Sequence, residues 1–147
     1  MSSITSTRQP STQAVTAIVF ENRPRWVPEL ERQFADEEVR IVACRSLRDV
    51  SERSAGVTRG LIVLDLHAAP GECLKFLEHR WGKPGTLPVF AVGSERTAAL
   101  EWPLRELGVT AFFAGPIPGH EMAALCRRQW QQGTVAVANS GDRKQWE

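Results

Sequence analysis

Gly60-Leu61-Ile62-Val63-Leu64-Asp65-Leu66 is the stretch whose reading decides the fold. Its apolar run is continuous, whereas a strand with one wet face alternates apolar and polar side chains. Such a run suits a strand covered on both sides, as in a parallel sheet between two layers of helices. It terminates at Asp65.

Four more short β-branched or apolar runs flank it: Val15 to Phe20, Val39 to Cys44, Leu87 to Val92 and Val109 to Ala114. Amphipathic segments separate them. Val27, Leu30 and Phe34 recur at helical spacing after the first run, with Pro24 and Pro28 near the start, where proline is tolerated. Ser46-Leu47-Arg48-Asp49 is a capping-box-like entry to a short helix ending near Gly56. Pro70 and Gly71 open a helix carrying Leu74, Phe76 and Leu77. Ser94 caps a segment reaching Leu107, with Gly108 as its stop and Pro103 expected to kink or divide it. Met122, Leu125 and Gln129, with Cys126 beside them, give the last helix its stripe. Five β-α units with right-handed crossovers predict a doubly wound, five-stranded parallel sheet of order 2-1-3-4-5 in three α/β/α layers.

The whole chain fits one domain: 147 residues, 42% hydrophobic and 24% charged. We expect it at 14–132, with flexible tails at 1–13 and 133–147. A net charge of +1 argues against a dedicated nucleic-acid binder, and the arginines come with no DNA-binding motif. Cys44, Cys73 and Cys126 lack CxxC spacing and are odd in number, so reduced buried thiols are expected rather than disulfides or zinc. No apolar run is long enough to span a bilayer and no signal-peptide core precedes the domain, so no membrane association and a cytoplasmic location are expected.

Ligands of an open parallel sheet bind beyond the carboxyl ends of its strands, near the switch in strand order. Those ends carry Glu21 and Asn22, Asp65, Gly93 and Ser94, and Gly115. Glu21, Asn22 and Asp65 would offer oxygen ligands suited to Mg²⁺. Each also has a plainer role: Asp65 as acceptor for loop amides, Glu21 as a solvated rim residue, Asn22 as a turn former, Ser94 as a helix cap.

The alternation, the run ending at Asp65, and the closing Leu104-Arg105-Glu106-Leu107-Gly108-Val109-Thr110-Ala111-Phe112-Phe113 before a proline-containing turn resemble the receiver domain of bacterial response regulators. The resemblance covers about Val15 to Trp130. It implies a flavodoxin-like, CheY-like fold, with Asp65 at the phosphoacceptor position and Mg²⁺ held after the first strand. The family's other switch residues are replaced. Glu21 and Asn22 stand for its acidic pair, Gly93 with Ser94 one step late for its Thr or Ser, and Gly115, before Pro116, for its lysine. Without that cation a phosphoryl group would be poorly read out.

The expectation is therefore a stand-alone pseudo-receiver that docks onto a protein partner, a histidine kinase or another signalling protein, with no turnover and no required cofactor. In receivers the partner face is built from helix 4, strand 5 and helix 5, which here implies Trp102, Phe112, Phe113 and Pro116 as the docking surface and homodimerisation through the same face. The alternative is a phosphorylatable regulator in which Asp65 accepts phosphate with Mg²⁺. A third reading, a small enzyme using Asp65 and His67, lacks a visible nucleophile, oxyanion donor or cofactor loop.

Overall fold

In the computed structural model, which describes residues 14–138, the run from Gly60 to Leu64 is a fully buried strand and Asp65 is its partly exposed last residue. Neighbours on both faces explain the burial. The chain runs β1 (Val15–Phe20), α1 (Trp26–Gln33), β2 (Val39–Cys44), α2 (Leu47–Ser54), β3 (Gly60–Asp65), α3 (Pro70–Arg80), β4 (Val89–Val92), a 3₁₀ helix (Glu95–Leu100), α4 (Glu101–Glu106), β5 (Ala111–Phe113) and α5 (Gly119–Ala138). The strands pair in parallel in the order β2-β1-β3-β4-β5, as expected.

Alternation of side chains along the central strands divides the core in two. Val15, Ala17, Val19, Leu61, Val63, Phe90 and Val92 meet Trp26, Leu30 and Phe34 of the α1 side and Met122, Cys126 and Trp130 of α5. The intervening residues, Ile18, Phe20, Ile62, Leu64, Val89 and Ala91, meet Val50 of α2, Cys73 and Leu77 of α3 and Leu104 of α4. All three cysteines are buried and free, and burial above all pushes each thiol up to about 12.

Several ends differ from the sequence expectation. β4 begins at Val89 rather than Leu87, because Pro88 has no N–H to donate to a ladder and contributes only its carbonyl, bonded by Ile62. β5 is shorter than Val109 to Ala114, because the Val109 amide closes the end of α4 on Leu104. The helix expected from Ser94 to Leu107 is divided upstream of Pro103, into the 3₁₀ helix and α4. Pro103 sits in the first turn of α4, where no N–H is needed, and its ring would collide with the carbonyl of Ala99 if the α-helix ran on upstream. α5 continues to Ala138, so the boundary placed after residue 132 falls inside it. The expected tail at 1–13 and the end of the other, 139–147, lie outside the described residues.

α5 is fastened to the α1 side by Arg127. Its guanidinium lies 5.0 Å over the Phe34 ring, donates to the Glu37 carboxylate at 2.8 Å and reaches the Gln33 carbonyl at 3.3 Å. The hydrogen bond from Arg127 holds the Glu37 carboxyl below its ordinary range. A lowered carboxyl pKa stabilises the fold above the ordinary carboxylate range and loses that contribution as pH falls through the lowered value. The pair is half exposed, so wild type should exceed Glu37→Gln by under about 1 kcal/mol in urea unfolding at pH 7. That advantage should vanish in the same measurement below the carboxylate range.

Candidate functional site

β1 delivers Glu21 to the carboxyl end of the sheet with only 5% of its surface exposed. Both carboxylate oxygens are used there. Oε1 accepts the Trp26 N–H at 2.9 Å, and Oε2 accepts those of Arg25 and Val27, each at 3.1 Å. These amides open α1, where backbone donors have no partner within the helix and the helix dipole favours negative charge. Arg25, at the N-cap position, supplies no side-chain cap, and Glu21 does so from across the turn. Its position is therefore neither a solvated rim nor an open crevice. Asn22 is exposed, and its Nδ2 donates to the Ala68 carbonyl at 3.4 Å, joining the β1–α1 turn to the β3–α3 loop.

Asp65 ends β3 as expected and turns its Oδ1 to the backbone N–H of His67 at 3.0 Å, with the His67 Nδ1 at 3.5 Å from the same oxygen. This is the loop-amide role named above. The Cys73 thiol is held high first by burial and next by the Asp65 carboxylate, which places the two in one electrostatic neighbourhood. Among the described residues no group of three or more His, Cys, Asp or Glu side chains is placed to hold a metal ion.

After β4 the chain makes a full capping box. The Ser94 hydroxyl accepts the Arg96 N–H at 3.1 Å, and the Thr97 hydroxyl turns back to accept the Ser94 N–H at 2.9 Å. This return explains Gly93. A Cβ at residue 93 would stand 2.1 Å from the Thr97 Oγ1 and 3.2 Å from the Phe112 ring, so the hydroxyl of Thr97 fills the space that a side chain of residue 93 would need. Thr97 escapes notice in the sequence, because a threonine three residues after the cap is not the Glu or Gln that marks a capping box. At Gly115, by contrast, a Cβ would meet nothing within 4 Å.

Gly93, Ser94 and Gly115 line one open crevice of about 410 Å³, with Arg25, His67 and Arg96 around it. Neither arginine is distinguishable in the sequence from a solvated helix residue. The expected docking residues are placed unequally. Trp102 on α4 is 70% exposed, whereas Phe112 and Phe113 are partly buried against the two core clusters, Phe113 edge-on to Phe90 at 5.9 Å. Trp81, the other exposed large apolar residue among those described, donates its indole N–H to the Glu106 carbonyl at 2.6 Å, one turn beyond Trp102 on α4.

The same architecture recurs in receiver domains of response regulators. The receiver domain of the TMAO respiratory system response regulator TorR is similar with a TM-score of 0.69 over 80% of this chain and 98% of that one, at 15% identity. Chemotaxis response regulator CheY4 of Vibrio cholerae matches 79% of this chain and 98% of its own, with a TM-score of 0.63 and 11% identity. A CheY-like protein, TadZ, from Pseudomonas aeruginosa PAO1 covers 78% of this chain and 98% of its own, at 0.63 and 17%. At these identities the likeness is one of fold. No protein-family model and no curated protein sequence matches the chain.

Three substitutions check these local roles. Glu21→Ala should cost about 1–2 kcal/mol in urea unfolding through loss of the cap, an effect that a solvated rim carboxylate would not produce. Gly93→Thr should cost about 1–3 kcal/mol by overpacking, and Thr97→Ala should recover part of that loss, which a double-mutant cycle reads directly.

Proposed function

We propose that this chain, which has the receiver fold, is a signalling module that acts by docking onto a protein partner, with the aspartyl-phosphate switch lost and no turnover of its own. The observation that carries the reading is the Glu21 carboxylate, whose two oxygens are committed to three amides of α1. A Mg²⁺ ion shared by Glu21, Asn22 and Asp65 would have to break a buried helix cap to form. The replaced positions agree with this: Thr97 packs against Gly93, and Gly115 brings no cation to the strand end. Asp65 still ends β3, so phosphorylation of Asp65 is the rival outcome of the test.

The docking surface is centred on Trp102, with Pro116 and the exposed face of Trp81 as further apolar area, while Phe112 and Phe113 serve mainly to pack the edge of the sheet. Exposed tryptophans are costly to leave in water and carry much of the energy of protein interfaces. The partner expected is a signalling protein, a histidine kinase among them, and a second copy of the chain would use the same face.

Titration with Mg²⁺ and then beryllofluoride, followed by amide NMR, should give no saturable shift that depends on both Mg²⁺ and the Asp65 carboxylate. Shifts that spread from Asp65 to Trp102, and that Asp65→Asn abolishes, would establish a working switch instead. Trp102→Ala should leave the unfolding midpoint within about 0.5 kcal/mol of wild type, as an exposed site does. The same variant should remove the partners that wild type captures. Equal recovery by the two proteins would reject this face.

A further inference from the structure

The crevice at the carboxyl ends of β4 and β5 carries more positive charge than its neighbours neutralise. Arg25 reaches it from the β1–α1 turn and Arg96 from the 3₁₀ helix, against one lining carboxylate, Glu95, while His67 lines it from the β3–α3 loop with its Nδ1 3.5 Å from Asp65. Among the described residues Arg32, Arg48, Arg53, Arg105 and Arg127 sit on carboxylates, whereas Arg25 and Arg96 form no ion pair. Arg25 is also held in place. Its backbone N–H is bonded by Glu21, and its guanidinium lies 5.1 Å over the ring of buried Trp26.

The floor of the crevice suits close approach by a ligand. Gly115 leaves open space at the end of β5, whereas Gly93 is covered by Thr97, and Val92 and Pro116 add apolar wall. A volume of about 410 Å³ lies within the range of small-molecule sites. Guanidinium groups offer paired donors in a plane, the geometry that phosphate oxygens accept two at a time. We infer that this crevice binds the phosphate group of a small molecule, as the free anion or as a monoester, between Arg25 and Arg96. Asp65 is not among its lining residues but adjoins it through His67, so the inference rests on the two arginines and does not depend on the docking reading.

The test is an amide NMR titration of the full chain in EDTA, which removes any Mg²⁺-dependent chemistry at Asp65. Inorganic phosphate and adenosine monophosphate are the probes, and adenosine is the uncharged control. Saturable shifts at Arg25, Gly93, Ser94 and Gly115 are expected with a phosphate-bearing probe and not with adenosine. Tighter binding of the nucleotide identifies a monoester as the ligand class, and equal or weaker binding identifies the free anion. Arg25→Gln and Arg96→Gln should each weaken binding about tenfold, as loss of a charge-assisted hydrogen bond does. Arg128→Gln, which removes the same charge from an exposed position on α5, should change it less than about twofold. No saturable shift with either phosphate probe would overturn the inference. So would equal weakening by Arg128→Gln, or binding that Asp65→Asn abolishes while both arginine variants retain it.

Discussion

The carboxyl end of this sheet is organised by a single buried carboxylate. Glu21 follows β1 and accepts three amides at the start of α1, so the first side chain past the strand sets where the first helix begins. A charge at 5% exposure is tolerable only with such partners, and the helix supplies both the donors and a favourable dipole. Much follows from this one arrangement. α1 carries Trp26 and Leu30 into the core against α5, and Arg25 is set at the crevice rim by the same set of hydrogen bonds.

The other strand ends follow a related logic, in which a position is vacated and a neighbour takes over its space or its bonds. Gly93 is small because Thr97 returns over it to complete a capping box. Asp65 spends an oxygen on the His67 amide, and Asn22 binds the loop that follows. Of these strand-end positions Gly115 remains open, beside two arginines that form no ion pair among the described residues. The crevice is lined by these two arginines and by one carboxylate, Glu95.

The outer face of α4 is a separate feature. Trp81 and Trp102 stay exposed although the core has buried Trp26 and Trp130, and the bond from Trp81 to Glu106 holds the two exposed rings near one helix. Apolar area kept in water beside a well-packed core suits docking better than stability.

The strands β1 and β2 were legible to the residue as β-branched and apolar runs, β3 as an uninterrupted apolar run because it is buried on both faces, and the order of the sheet followed from five alternating units and right-handed crossovers. Local capping was legible as well, at Ser46 and Ser94, since a cap is decided within three residues. The sequence alone also determined that Asp65 ends the central strand. The partner of each strand-end side chain was decided only by the tertiary structure. Glu21 faces α1 because packing of Trp26 and Leu30 draws the helix over it, and Thr97 lies against Gly93 because its hydroxyl turns back to accept the Ser94 N–H at the end of β4. Arg25, His67 and Arg96 lie on three segments far apart in the chain. No spacing rule could have joined them, because only the winding of the sheet brings those segments to one crevice.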